Sequence, residues 1–84
     1  MVDVLFDDRF TRAVAKVKDA EIQKSVKNKI KKIVEDPEIG KPMRNARKGT
    51  REVYLYGGTF RLSYDYHKDR NCIEFLEFYH KDEQ

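Results

Sequence analysis

The sequence predicts an α+β fold in which an N-terminal helical hairpin packs on a small antiparallel sheet. Residues 2–6 have the alternating apolar pattern of a strand, and the following segment repeats apolar side chains at helical spacing. Residues 52–80 then contain three strand-like runs separated by turn residues. The predicted order is β-α-α-β-β-β. We expect residues 1–84 to form one domain, because a chain of this length has room for one core.

Aspartates mark where the two helices begin. Asp7 or Asp8 is placed to cap a first helix, and Asp19 follows a tight turn and caps a second one. The apolar residues of the second helix recur on one face and are Ile22, Val26, Ile30, Ile33 and Val34. Asp36-Pro37 ends this helix, because the residue before a proline avoids helical backbone angles.

After the helices, strands 52–56 and 59–66 are joined by Gly57-Gly58, which is typical of a tight hairpin turn. With these glycines in the loop, Tyr54 lies opposite Arg61, and opposed residues share a face of the sheet. The predicted core face carries Val53, Leu55, Phe60, Leu62 and Tyr64, and the other face carries Glu52, Tyr54, Tyr56, Thr59, Arg61 and Ser63. Residues 67–71 form a turn, and 72–80 form the last strand. Arg61 therefore lies in the middle of a polar, aromatic face, where it stacks on Tyr54, pairs with Glu52 or binds an anion.

Positive charge is concentrated in one part of the chain. The net charge is +3, but residues 24–51 alone carry +7 and the remainder carries −4. In the segment 41-KPMRNARKGTR-51 there are five basic residues and no acidic one, namely Lys41, Arg44, Arg47, Lys48 and Arg51. Such a loop is suited to a polyanion such as RNA or DNA, and an acidic protein partner suits it equally well. For the lysines of the second helix, a simply solvated face is an equal alternative.

Composition excludes several classes of protein. With 39% charged and 39% hydrophobic residues, the chain is too apolar to be disordered. It has no apolar run of about 18 residues and no signal-peptide pattern, so we expect no membrane association. The single cysteine, Cys72, fits a reducing cytoplasm. One cysteine and two distant histidines, His67 and His80, do not predict a metal site, and we expect no cofactor.

Several short motifs in order resemble the RelE/ParE superfamily of toxins from toxin–antitoxin systems. The matching elements are Gly40-Lys41-Pro42-Met43-Arg44, Lys48-Gly49, Phe60-Arg61-Leu62-Ser63-Tyr64 and His80-Lys81. Each motif is weak alone, but their order and spacing cover essentially the whole chain. The resemblance implies two N-terminal helices beside a small antiparallel sheet and a cognate antitoxin that neutralises the toxin.

RelE-like members of this superfamily cleave messenger RNA in the ribosomal A site without a metal, by activating the ribose 2′-hydroxyl against the adjacent phosphate. The resemblance thus implies that Arg61 stabilises charge on the scissile phosphate. It also implies that His80 protonates the leaving 5′-oxygen and that Lys81 neutralises phosphate. The basic loop and Tyr54 become candidates for RNA binding.

The chain departs from strongly active RelE-type enzymes at Glu52 and Tyr54, where those enzymes have lysines. Some relatives use a glutamate as the general base, so Glu52 is a catalytic candidate, with an ion pair to Arg61 as its structural alternative. Two other functions stay open at this point. The chain could be a ParE-type toxin that binds a protein target such as gyrase, or a basic RNA-binding domain without toxicity.

Overall fold

A computed structural model describes residues 2–43 and 49–83. The elements are β1 (Asp3–Phe6), α1 (Asp8–Lys16), α2 (Ala20–Glu35), β2 (Lys41–Pro42), β3 (Thr50–Leu55), β4 (Phe60–His67) and β5 (Cys72–His80), with short 3₁₀ turns at Lys68–Arg70 and Lys81–Glu83. The predicted α+β class and the order of its main elements are confirmed, and the two-residue strand β2 is an addition. Within the described residues, no helix is long and apolar enough to cross a bilayer.

The five strands form one sheet in the order β1-β5-β4-β3-β2. Strands β3 to β5 pair antiparallel, as predicted, and the additional strand β2 also pairs antiparallel with β3, but β1 runs parallel to β5. The sheet is therefore mixed. A parallel pair needs a long connection between its strands, and here both helices and three strands lie between β1 and β5.

Side-chain caps begin both helices. The Asp7 carboxylate accepts a hydrogen bond from the backbone N–H of Arg9 (2.8 Å), which settles the first cap on Asp7 rather than Asp8. Asp19 accepts from the N–H groups of Glu21 and Ile22 at 2.8 and 3.3 Å. These bonds satisfy amide groups that have no partner inside a helix, which fixes where each helix starts.

The core lies between the helices and one face of the sheet. Its buried members are Phe10, Val26, Ile33, Val53, Leu55, Leu62, Tyr64, Ile73, Phe75 and Phe78. The Phe75 ring lies 5.3 Å from the ring of Phe6, 5.5 Å from that of Phe10 and 6.0 Å from that of Tyr64. The predicted core face of the hairpin is thus the face that packs on the helices.

The hairpin has the predicted register, with Tyr54 opposite Arg61 and Leu55 opposite Phe60. Its turn is longer than predicted, because residues 56–59 all lie outside the ladder. Tyr56 has a left-handed backbone (φ 52°), followed by Gly57 and Gly58 at φ 68° and 88°.

The Tyr64 hydroxyl anchors the loop between α2 and β2 to the core. It donates a hydrogen bond to the carbonyl of Pro37 (2.8 Å) and accepts one from the N–H of Gly40 (2.9 Å). Arg51 supports the same loop by donating to the carbonyls of Glu38 (3.0 Å) and Gly40 (2.7 Å). The loop is thus held by two side chains of the sheet.

Candidate functional site

The face of the sheet turned away from the helices carries the predicted catalytic arginine. Because directly paired residues share a face, the strand registers place one set of side chains together there. We call this set the open face; it comprises Lys41, Glu52, Tyr54, Arg61, Ser63, Glu77 and Tyr79. It combines aromatic rings with charges of both signs.

Arg61 lies on the open face with its charge held over an aromatic ring. Its guanidinium carbon is 4.6 Å from the centroid of the Tyr54 ring, a cation–π contact. Its Nε is buried and has no hydrogen-bond partner. In the described part of the chain, no ion pair joins Arg61 to Glu52. The stacking on Tyr54 therefore orients the guanidinium, and among the described residues none accepts a hydrogen bond from it.

Glu52 interacts instead with a residue of the last strand, β5. The Tyr79 hydroxyl donates to the Glu52 carboxylate at 2.8 Å, and Tyr79 lies directly opposite Arg61 across the β4–β5 ladder. The open face thus places a carboxylate, a phenol and a guanidinium side by side. From the sequence, Tyr79 was a candidate only to replace the base-stacking tyrosine with which members of the resembled family commonly end. Its contact with Glu52 was not predicted, because it depends on the alignment of β4 with β5, which contains an irregularity between Ser63 and Tyr64.

His80 lies on the opposite face of the sheet from Arg61. It pairs with the core residue Phe60, and the two rings meet edge to face with centroids 5.3 Å apart. Its Nδ1 accepts a hydrogen bond from the backbone N–H of Asp82 at 3.1 Å. The sheet itself therefore separates His80 from Arg61, and the geometry does not support the two acting on one phosphate. Lys81 follows in an exposed turn, where its backbone N–H donates to the carbonyl of Thr59 (2.9 Å).

The residues of the basic loop have different positions. Arg44, Arg47 and Lys48 lie outside the described residues. Lys41 is exposed on β2, directly opposite Glu52, and so belongs to the open face. Arg51 corrects a prediction, because it lies on β3 opposite Tyr64 and its guanidinium is committed to the loop after α2. Arg51 therefore shapes the fold and is not a free phosphate ligand.

A second polar cluster lies at the other end of β4. Ligand atoms of Asp65, His67 and Glu74 are all within 4.8 Å of one another, and His67 Nε2 is 3.7 Å from a Glu74 carboxylate oxygen. Carboxylates and imidazole are metal ligands, so this set could hold a cation. The prediction of no metal counted only cysteine and histidine and overlooked these carboxylates. The buried Asp65 also accepts a hydrogen bond from the Thr50 hydroxyl.

The electrostatic environment of the buried Tyr64 differs from that of a tyrosine in water. Burial raises the pKa of its phenol above the usual 10.0, and the hydrogen bond from the Gly40 N–H opposes this shift. At the surface, hydrogen bonds from Arg9 lower the pKa of Asp7. Both residues contribute to the fold rather than to the open face.

The overall fold is that of the RelE toxins and of the RelBE toxin–antitoxin complexes that contain them. The isolated Escherichia coli RelE toxin superposes with a TM-score of 0.80 at 16% identity, over 95% of this chain and 84% of that one. A chain of the Mycobacterium tuberculosis RelBE2 toxin–antitoxin complex matches with a TM-score of 0.76 at 24% identity, covering 95% and 98%. A chain of the archaeal RelE–RelB complex from Pyrococcus horikoshii matches at 0.73 and 10% identity, covering 99% and 98%.

No protein-family model matches the sequence, and a search of curated proteins gives no match. At identities of this level the structural matches establish a shared fold. The resemblance inferred from the motifs is confirmed for the architecture, with two helices on a five-stranded mixed sheet.

Proposed function

We propose that this protein is the toxin of a type II toxin–antitoxin system and that it cleaves messenger RNA on the ribosome without a metal. Support comes from the RelE fold together with the open face. The observation that carries the proposal is the Arg61 guanidinium, which is oriented on the open face by its 4.6 Å contact with Tyr54 and makes no hydrogen bond to a described residue. An oriented guanidinium with free donors is suited to the charge that develops on a scissile phosphate.

In the proposed reaction, the Glu52 carboxylate takes the proton of the ribose 2′-hydroxyl, which attacks the adjacent phosphorus. Tyr79 holds that carboxylate through its hydroxyl, 2.8 Å away, and so acts as a positioning residue. Arg61 binds the non-bridging phosphate oxygens. The bond from phosphorus to the 5′-oxygen breaks, and the products are a 2′,3′-cyclic phosphate and a 5′-hydroxyl. Since His80 lies behind the sheet, the 5′-oxygen takes its proton from a group on the open face or from solvent.

We further propose that residues 1–84 act as one domain in the cytoplasm and are neutralised by a cognate antitoxin. RelE–RelB pairs are the form in which several of the structurally similar proteins occur. The net charge of +3 and the basic segment that includes Lys41 favour an acidic partner.

Substitution of Arg61 tests the catalytic proposal. We expect Arg61→Ala to fold normally and to lose about 10²–10³-fold in cleavage rate, the usual cost of removing one donor to a transition-state anion. Arg61→Lys should also fail, because an ammonium cannot make the two-point contact of a guanidinium. Cleavage is measured by primer extension on a message with and without ribosomes, with His80→Ala as the control on the other face. The protein is treated with a chelator that is removed before the Mg²⁺-dependent ribosomes are added.

Three outcomes would contradict the proposal. The first is unimpaired cleavage by Arg61→Ala, and the second is loss of cleavage after chelator treatment of the protein that an added transition metal such as Zn²⁺ restores. The third is a wild-type protein that leaves message intact but inhibits gyrase, which would favour the ParE-type alternative.

A further inference from the structure

A groove lies between α2 and the turn that joins β3 to β4. The α2 side contributes Ser25, Asn28, Lys29 and Lys32, and the strand side contributes Tyr54, Leu55, Tyr56 and Gly57. The four α2 residues are spaced at i, i+3, i+4 and i+7, so they form one stripe along the helix. The cavity has a volume of about 350 Å³.

The chemistry of the groove suits a nucleic acid strand. Its lining contains two lysines and no acidic residue. Tyr54 and Tyr56 are 48% and 45% exposed, so both rings are accessible to a ligand. Sites that bind single-stranded nucleic acid combine basic side chains for the backbone with exposed aromatic rings on which bases stack. The amide of Asn28 and the hydroxyl of Ser25 add hydrogen-bonding groups.

One of these rings belongs to a residue with a strained backbone. Tyr56 has a φ of 52°, a left-handed conformation that costs free energy for a bulky residue and that glycine adopts without penalty. The two glycines that follow it do not require a tyrosine here. An exposed aromatic ring kept at a strained turn points to a role in binding.

The groove is continuous with the open face through Tyr54. Its ring stacks under the Arg61 guanidinium, 4.6 Å away, and the same residue lines the groove. An RNA with a phosphate at Arg61 would therefore leave the open face across Tyr54 and enter the groove. The positive charge of α2 continues that path.

We propose that this groove binds the single-stranded RNA segment next to the scissile phosphate, with a base stacked on Tyr56 and the backbone held by Lys29 and Lys32. The choice of RNA as the ligand rests on the proposed function. The exposed rings favour RNA over an acidic peptide, because every base has a face that stacks on an aromatic side chain.

The test compares two double substitutions that change the charge equally. Lys29→Glu/Lys32→Glu alters the groove, and Lys24→Glu/Lys31→Glu alters lysines elsewhere on α2. Binding is measured by fluorescence anisotropy against salt, using a short single-stranded RNA whose 2′-hydroxyls are all methylated so that it cannot be cleaved. We expect the groove pair to lose more than about 10-fold in affinity relative to the control pair, and its salt slope to fall by roughly 0.7 for each lost phosphate contact.

The stacking contact is tested separately. Tyr56→Ala should lose about 5- to 100-fold in affinity, whereas Tyr56→Phe should retain it, since stacking needs the ring and not the hydroxyl. Thermal unfolding checks that each variant folds. If Lys29→Glu/Lys32→Glu does not fold, Lys29→Gln/Lys32→Gln takes its place.

The proposal is overturned if the groove pair and the control pair lose affinity equally. It is also overturned if Tyr56→Ala binds RNA like the wild type, or if the groove substitutions weaken only antitoxin binding. These results are distinguishable from failure of the nuclease proposal. If Arg61→Ala loses cleavage but the groove variants bind RNA like the wild type, the groove proposal is refuted and the nuclease proposal stands. If RNA binding depends on the groove but the wild-type protein cleaves no message, the nuclease proposal is refuted and the groove proposal stands.

Discussion

Removing the Tyr64 hydroxyl should weaken the fold by a measurable amount. Tyr64→Phe keeps the buried ring but deletes a group that accepts from the Gly40 N–H and donates to the Pro37 carbonyl. Gly40 is buried, so its N–H would have no partner, at a cost of about 1–3 kcal/mol. The Pro37 carbonyl is only partly buried and regains water. We expect a loss near 2 kcal/mol, which lowers Tm by roughly 8–16 °C in a domain of this size.

Urea and thermal unfolding followed by circular dichroism measure this loss. Tyr66→Phe is the matched control, because within the described residues the hydroxyl of this partly buried tyrosine has no hydrogen bond. Equal stability of the two variants would refute the anchoring role of the Tyr64 hydroxyl.

The same substitution has a pH signature. Because burial raises the pKa of Tyr64, the unfolded chain loses this phenolic proton first, near pH 10. The folded state then holds more protons than the unfolded one, so stability falls as pH rises above 10 and through the folded pKa. Tyr64→Phe lacks this group. The difference in stability between wild type and variant should therefore narrow above pH 10, and a constant difference would contradict the raised pKa.

Three further substitutions test the fold. A Cβ on Gly40 would lie 2.5 Å from the Tyr64 hydroxyl oxygen and 2.9 Å from the Arg51 Cβ. Gly40→Ala should therefore lower the free energy of unfolding by about 1–3 kcal/mol in urea titrations. A neutral change would mean that the loop moves freely. Asp19→Ala removes the α2 cap and should lower the free energy of unfolding by about 1 kcal/mol, with less helical circular dichroism at intermediate urea. Asp19→Asn, which can still cap the helix, should restore this stability. Arg51→Ala should lower the free energy of unfolding by about 1–2 kcal/mol, measured by thermal unfolding, whereas Lys41→Ala on the neighbouring strand should not. Similar values for the two variants would mean that Arg51 does not stabilise the fold.

Local features of the fold could be predicted from the sequence. The caps at Asp7 and Asp19 and the hairpin register depend on residues close together in the chain, and they are found as expected. The parallel pairing of β1 with β5 joins segments almost 70 residues apart, as in Asp3 with Cys72, and no local pattern specifies it. The predicted length of the turn was wrong because only Gly57 and Gly58 were placed in it, whereas Tyr56 also adopts left-handed backbone.

The site was predictable only where it depends on one hairpin. The register of β3 and β4 placed Arg61 with Tyr54, and the structure has this pair in contact. Tyr79 and His80 depend on β5, whose faces were not assigned from the sequence. Phe78 is buried in the core, and His80, two residues later on the same strand, shares its face. That spacing was a usable signal against placing His80 beside Arg61.

The internal position of β5 in the sheet determines when during synthesis the fold can form. This strand lies between β1 and β4, and α1 packs on it, so Phe10 and Phe6 have no Phe75 to contact until residues 72–80 exist. Tyr79, the hydrogen-bond partner of Glu52, is on the same strand. A nascent chain that has not yet reached β5 therefore has neither a closed core nor a complete open face, and its assembly depends on slow, long-range pairing. A ribosome-dependent nuclease of the kind proposed above would therefore stay inactive on the ribosome that makes it for most of the time it takes to translate the message.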